Sequence, residues 1–164
     1  MIFTLYKGFH FSNQPLHKLL WFINKKKRMS YLVTFNESAL YVDTTSDRYD
    51  INKLFGFSNG MHHTNSYRFG WNCLYDKIYL YSYAYVEGVR ISNLIGSVDI
   101  NKQYRCTICV NKNECIFTLI DTDNNIEQDI IKITDKKILG YRLWPYFGGN
   151  NVAPHKITIE LIKN

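Results

Sequence analysis

The chain has 164 residues, a length that fits one domain and can bury a core without a disulfide or a metal. Hydrophobic residues make up 46% and aromatic residues 16%, and the 13 tyrosines belong to the types that favour strands. No apolar stretch reaches the ~20 residues that span a bilayer, and the start lacks the basic and apolar regions of a signal peptide. We therefore predict one domain over residues 1–164, synthesised in the cytoplasm and without a membrane partner.

The chain carries a formal net charge of +6 and has an isoelectric point near 9.1. A positive surface favours anionic partners such as acidic glycans, phosphates or nucleic acid. Part of the charge lies in one run, NKKKR at 24–28, which is more typical of a solvated turn than of a binding patch. No nucleic-acid-binding motif is present, so a nucleic-acid partner is not favoured.

The first predicted element is a short helix near residues 14–24, QPLHKLLWFIN, where Pro15 precedes apolar residues at helical spacing. An extended apolar segment is the alternative for this stretch. Residues 50–60, DINKLFGFSNG, are interpreted as a loop. The predicted strands are SYLVTF (30–35), ALYV (39–42), SYRFGW (66–71), KIYLYSYAYV (77–86), GVRISNLI (88–95), YRCTICV (104–110), ECIFTLI (114–120), EQDIIKI (127–133), GYRLWPYF (140–147) and HKITIELI (155–162).

These strands alternate apolar and polar residues and are separated by turn signals about every ten residues. Residues 104–120 form a hairpin pattern around an Asn-rich turn. Many short strands at this spacing predict an all-β fold, an antiparallel β-sandwich or jelly roll.

The four cysteines give no metal signal. Cys106 and Cys109 have CxxC spacing, but three residues along a strand their sulfurs point to opposite faces. Cys109 and Cys115 flank the hairpin turn, where a disulfide is conceivable, although buried free thiols are favoured without a secretion signal. The histidines lack HxH or HxxxH spacing and a carboxylate ligand. We predict no metal and no cofactor.

The segment GMHHTNSYRFGW, 60–71, is the most unusual in the chain. Strand alternation separates Arg68 from an aromatic face that ends at Trp71. If the preceding loop folds back, His62 or His63 and Asn65 join Arg68, which groups a planar cation, an imidazole and an amide. Such a group suits carboxylate or phosphate recognition.

A structural role is the alternative for the same segment. A histidine and an asparagine at a strand entry often satisfy loop carbonyls, because buried polar groups need partners. Arg68 could equally form an ion pair with Asp50 or Asp76.

The second unusual segment is YRLWPYFGGNNVAPHKITI, 141–159. Its glycine-rich loop lets the backbone approach a ligand, and the neighbouring aromatic rings could stack on a sugar or a base. The candidate residues here are Trp144, Tyr146, Asn150 and His155. For Trp144, burial beneath a tight turn is favoured over ligand contact.

The third feature is the tyrosine stripe of residues 77–86, where Tyr79, Tyr81, Tyr83 and Tyr85 share one strand face. The opposite, aliphatic face is expected to meet the core. The stripe could then stack on a glycan or lie under a partner subunit. The alternative is a strand covered on both faces.

The strings DINKLFGFSNG, HHTNSYRFGW, YVEGVR and GYRLWPYFGGNNVAPHKITI together resemble a family of small, uncharacterised proteins from gut-type bacteria and their phages. The resemblance covers roughly residues 30–162. It implies a jelly-roll, concanavalin-like β-sandwich and, in a phage setting, association with a virion; no activity is established for that family. Lys156 stands where the family's last motif has an acidic residue after Pro-His, so any role of that acidic residue is in doubt here.

Three functions are consistent with these features. The favoured one is a non-catalytic module that binds a carbohydrate, or another anionic or polar small ligand, and homo-oligomer or virion assembly stays open. The candidate ligand-binding residues are His62, His63, Asn65, Arg68, Trp71, Tyr79, Tyr81, Tyr83, Trp144, Tyr146, Asn150 and His155.

The second function is a polysaccharide lyase for a uronate-containing glycan, with His63, Arg68, Tyr146 and His155 as candidate catalytic residues. A glycosidase is disfavoured because both unusual segments, 60–71 and 141–159, lack Asp and Glu. The third function is a phage protein that binds or sequesters a nucleotide.

Overall fold

The computed structural model describes residues 1–13, 28–42, 47–134 and 140–164, which form a β-sandwich of two antiparallel sheets, as predicted. The helix candidate at 14–24 and most of the basic run at 24–28 lie outside the described residues. The strands are β1 (Ile2–Leu5), β2 (Arg28–Phe35), β3 (Asn52–Ser58), β4 (Ser66–Leu74), β5 (Lys77–Val86), β6 (Val89–Val98), β7 (Gln103–Val110), β8 (Glu114–Ile120), β9 (Ile126–Lys132), β10 (Arg142–Leu143) and β11 (Ile157–Lys163).

The first sheet has six strands in the order β1-β11-β2-β7-β8-β9. The predicted hairpin forms β7 and β8, with Val110 opposite Cys115. The alternation predicted for the last strand is confirmed, because Ile157, Ile159 and Leu161 of β11 are all buried.

The second sheet has five strands in the order β10-β3-β4-β5-β6. The β4–β5 turn places Tyr75 and Asp76 in the left-handed region, at φ of 52° and 57°, which matches the twist of a tight hairpin. The core between the sheets contains Phe3, Leu5, Tyr31, Val33, Phe35, Leu54, Phe55, Phe57, Tyr67, Phe69, Trp71, Ile78, Leu80, Ile108, Phe117, Trp144, Phe147, Ile157, Ile159 and Leu161, among others.

The predicted strand at 39–42 is wrong. Ala39 ends a 3-10 turn, Glu37–Ala39, whose preceding residue Asn36 accepts a hydrogen bond from the Ser38 backbone N–H at 2.9 Å. This local cap competes with strand pairing, as asparagine side chains commonly do. Residues 40–42 continue without strand assignment.

The predicted loop at 50–60 is also wrong, because it contains β3, all seven residues of which are buried. The pairing of β3 with β4 shifts register between Lys53 and Phe55. This irregularity, together with the buried polar side chains of Asn52 and Lys53, hides the alternation that marks a strand.

The strand predicted over 140–147 is reduced to β10, because Pro145 has no N–H to donate to a sheet. Tyr146 instead forms two isolated bridges, to Phe11 and to Lys53. The sequence analysis predicted no strand at the position of β1.

All four cysteines are free thiols, and only Cys109 is less than fully buried. Burial raises the pKa of the Cys106 thiol and that of the Cys115 thiol. No helix in the described part of the chain is long and apolar enough to cross a membrane.

Candidate ligand-binding face

The candidate site lies on the outer face of the five-stranded sheet, which is the face turned away from the core. Arg68 of β4 pairs with Tyr83 of β5 and with Gly56 of β3, while Gly70 pairs with Tyr81 and Lys53. The predicted alternation is confirmed here, because the neighbouring aromatic residues of β4 are core residues. The tyrosine stripe therefore shares its face with Arg68 and Lys53.

Arg68 is a buried cation whose Nε has no acceptor among the described residues. It is only 7% exposed. Its guanidinium lies over the ring of Tyr83, with Cζ 5.2 Å from the ring centroid. Burial lowers the pKa of Arg68, with the surrounding tyrosines acting in the opposite direction. Desolvating a charge without a nearby anion is costly, and no described residue forms an ion pair with Arg68.

Gly56 lets β3 lie close against β4 at Arg68. It faces Arg68 across the β3–β4 pair, and a Cβ at this position would lie 2.7 Å from Cγ of Arg68. Any larger residue at Gly56 would displace the Arg68 side chain or the strand.

Lys53 is a second buried cation on this face, and it is 8% exposed. Its Nζ donates to the Gly148 carbonyl at 2.9 Å and lies 5.0 Å from the ring centroid of Tyr83 and 5.9 Å from that of Tyr146. Burial, followed by repulsion from Arg68, lowers the pKa of Lys53 to about 8.

Asp50 is the acidic residue near Lys53, and its attraction partly offsets this lowering of the pKa. Its carboxylate accepts backbone hydrogen bonds from Gly149 at 3.2 Å and Asn150 at 3.3 Å. Asp50 therefore fixes the glycine-rich loop, and Lys53 forms no ion pair within the described part of the chain. The structural alternative predicted an ion pair of Arg68 with Asp50 or Asp76. Neither ion pair forms within the described part of the chain.

His62 and Tyr141 border the face beside Arg68. The Tyr141 hydroxyl accepts from the backbone N–H of His62 at 3.3 Å and also shares a hydrogen bond with Nδ1 of the same histidine. Burial, with His63 and Arg68 acting in the same sense, lowers the pKa of His62. A neutral His62 can accept the hydroxyl proton of Tyr141, which orients both groups.

His63 and Asn65 complete the predicted cluster in different ways. The His63 ring lies 5.5 Å from that of Tyr85, with the planes at 83°. The Asn65 side chain accepts from the Glu87 backbone N–H at 3.1 Å, so it holds the β5–β6 turn.

Tyr146 joins the glycine-rich segment to this face. His10 stacks on its ring at 5.1 Å, and Phe11 meets the ring edge-on at the same separation. The Phe11 side chain is 67% exposed. The aromatic row therefore continues from Tyr83 past Lys53 and Tyr146 to an exposed ring.

Other predicted residues lie elsewhere or act through their backbone. Trp71 and Trp144 pack in the core. His155 donates from Nε2 to the Ser38 carbonyl at 2.8 Å, beside the start of β11. Asn150 meets Asp50 through its backbone N–H. On the stripe, Tyr81 donates to Oδ1 of Asn72 at 3.2 Å, and Tyr79 is half-buried next to it.

We name the basic tyrosine cluster as Lys53, Arg68, Tyr83, Tyr85, Tyr141 and Tyr146. The sequence interpretation missed Lys53 and Tyr141 as site residues. A lysine inside the otherwise apolar run NKLFGF was the available signal, since a buried lysine needs a reason. The described residues contain no group of three or more His, Cys, Asp or Glu side chains that could hold a metal ion.

No family model matches the chain, and no curated protein matches it. Among solved structures, an alginate lyase from Klebsiella pneumoniae is similar to it, with a TM-score of 0.61 and 10% identity over 84% of this chain. The chain spans 59% of the length of that lyase.

Two further structures match with lower scores. The carbohydrate-binding module CBM66 from Bacillus subtilis has a TM-score of 0.41 and 12% identity, covering 82% of this chain and 70% of the module. The CBM2 module of the evolved Dit of Lactobacillus casei BL23 phage J-1 has a TM-score of 0.44 and 12% identity, covering 80% of this chain and 57% of that one. The similarity to the lyase agrees with the β-sandwich fold of this chain.

Proposed function

We propose that this protein binds an acidic polysaccharide on the outer face of the five-stranded sheet, without transforming it. One observation carries the proposal: Arg68 is buried, and its Nε has no acceptor among the described residues. A carboxylate on a sugar would accept from this guanidinium and balance its charge.

The tyrosines give the face its second property. Tyr79 and Tyr81 are half-buried and share one face of β5 with Tyr83, so these residues form an aromatic strip beside the cation. Sugar rings pack on such strips through their apolar C–H faces, while the hydroxyl groups stay in water. A chain-like ligand with acidic groups therefore fits better than a compact nucleotide.

A binding panel tests the proposal. Titration calorimetry would compare polygalacturonate, alginate and hyaluronan with neutral dextran. We expect saturable binding to the acidic polymers alone, weakened but not abolished by added salt, because buried contacts are screened less than exposed ones. Equal affinity for dextran, or no affinity for any acidic polymer, would overturn the proposal.

The lyase alternative has its own supporting observation, the pairing of His62 with Tyr141 next to Arg68. In a lyase, Arg68 would neutralise the uronate carboxylate, and a neutral base would take the proton alpha to it. The glycosidic C–O bond then breaks, the leaving oxygen gains a proton and a double bond forms in the sugar. The alginate lyase named above performs an activity of this class.

The two functions are separated by following ultraviolet absorbance while the protein is incubated with the same acidic polymers. Absorbance from an unsaturated product that is lost in the Tyr141→Phe variant would favour the lyase. Binding without any absorbance change supports the non-catalytic module.

A further inference from the structure

Two buried cations, rather than one, line the basic tyrosine cluster. Arg68 Cζ and Lys53 Nζ lie 5.2 and 5.0 Å from the centroid of the same Tyr83 ring. They stand on neighbouring strands, since Lys53 pairs with Gly70, two residues beyond Arg68 in β4. A ligand carboxylate bound to one of them therefore leaves the other cation within reach of the next part of the same chain.

Neither cation is neutralised by the protein in its described part. Lys53 gives its one hydrogen bond to the neutral Gly148 carbonyl, and Asp50 binds backbone N–H groups instead of forming an ion pair. The remaining charge that acts on Lys53 is Arg90, which is also positive. Like charges held this close repel each other, and a carboxylate bound at each cation would offset that repulsion.

We propose that Lys53 is a second carboxylate-binding residue, which selects glycans with acidic groups on successive sugars over glycans with an acidic group on every second sugar. This inference rests on the proposed function of the face. Lys53 is pre-positioned for it, because the Gly148 carbonyl and the rings of Tyr83 and Tyr146 hold its ammonium group.

The change in protonation of Lys53 expected on ligand binding supports the same role. Burial and the positive neighbours lower the pKa of Lys53 to about 8 in the free protein. A bound carboxylate favours the charged form and raises that pKa, so binding slightly above this pH takes up a proton.

The test compares polygalacturonate, which has a carboxylate on each sugar, with hyaluronan, which has one on every second sugar. The variants are Lys53→Met, Lys53→Arg and, as a matched control, Lys77→Met, an exposed lysine at the β4–β5 turn. We expect the wild type to bind polygalacturonate more tightly. Lys53→Met should lose about tenfold in affinity for polygalacturonate, as for a charged hydrogen bond, and much less for hyaluronan. Lys53→Arg should keep most of the affinity.

Calorimetry in buffers with different ionisation enthalpies adds the proton readout. We expect proton uptake in the wild type slightly above pH 8 and none in Lys53→Arg, whose side chain stays charged. If Lys53→Met weakens both polymers by the same factor, or neither, the selectivity of Lys53 is overturned while the proposed function stands. If the folded wild type binds neither polymer, both the selectivity of Lys53 and the proposed function are overturned.

Discussion

The outer faces of the two sheets follow the same alternation, but their polar side chains differ in whether they have partners. On the six-stranded sheet, Ser30 and Thr107 share a hydrogen bond at 2.8 Å, and Gln128 donates to Thr118 at 3.1 Å. Its two arginines, Arg28 and Arg105, are exposed to water. On the five-stranded sheet, Arg68 and Lys53 are buried and form no ion pair with any described residue.

This difference separates a face whose polar side chains have partners from a face whose buried cations form no ion pair with the described residues. Polar groups that pair with each other or with water place no demand on a partner. Buried cations carry a desolvation cost that an anion can offset. Removing a cation from the five-stranded sheet should therefore lower ligand affinity, whereas removing one from the six-stranded sheet should not.

The largest effect is expected for Arg68→Met. Losing a charged hydrogen bond costs about 1.5–3 kcal/mol, so affinity for polygalacturonate should fall by at least about tenfold. The melting temperature should hold or rise, because replacing a buried, unpaired charge by an apolar side chain removes a desolvation cost. Titration calorimetry and thermal unfolding measure both quantities.

Arg105→Met is the matched control on the other face. It should leave affinity unchanged beyond a small long-range charge effect. Comparable losses in the two variants would contradict the contrast between the faces and favour a diffuse electrostatic attraction.

The pH dependence of Lys53 is the next largest effect. Its pKa is lowered from 10.5 to about 8 in the folded protein, so the unfolded chain binds more protons between these values. The free energy of unfolding of the free protein therefore rises with pH across this window, whereas affinity for an acidic glycan falls. Chemical denaturation of wild type and Lys53→Met at several pH values isolates the Lys53 contribution. Parallel pH curves for the two proteins would rule it out.

The tyrosine stripe should contribute less. Tyr81→Ala removes a ring from the strip and should weaken binding several-fold, consistent with about 0.5–1.5 kcal/mol for an aromatic contact. Tyr75→Ala is the control, since this ring is 85% exposed at the β4–β5 turn. Quantitative affinity electrophoresis can compare them, and an unaffected Tyr81→Ala would remove the stripe from the site.

The smallest effect is expected at the end of the aromatic row. Phe11→Ala should reduce affinity two- to three-fold for long oligogalacturonides and leave short ones unchanged, because only a long chain reaches from Arg68 past Tyr146. Phe9→Ala, with a side chain of similar exposure, serves as the control. A length-independent loss would place Phe11 outside the ligand path.

The fold could be predicted from the sequence because alternation is strong where one face meets the core. KIYLYSYAYV shows this best, since its aliphatic residues are buried and its tyrosines face outward. Alternation does not reveal β3, because a register shift and a buried lysine interrupt the pattern of apolar and polar residues there. Alternation also predicts too long a strand at 140–147, because Pro145 limits strand pairing after β10.

The site was predicted only in part for a related reason. Arg68 and the tyrosines share a strand pair, so their common face follows from local spacing. Lys53, Tyr141 and Phe11 reach the same face through long-range pairing that no local pattern encodes. Conversely, Trp71 was grouped with Arg68 as a candidate, although the same alternation turns it into the core.

The most direct test observes the Nε–H group of Arg68 by NMR while polygalacturonate oligomers are added. The account predicts that this resonance shifts to a saturating end point, because a carboxylate bound at the guanidinium changes the electrostatic environment of the buried Nε–H group. Neutral dextran oligomers should leave it in place. An unchanged Arg68 resonance, with shifts confined to the six-stranded face, would contradict the account.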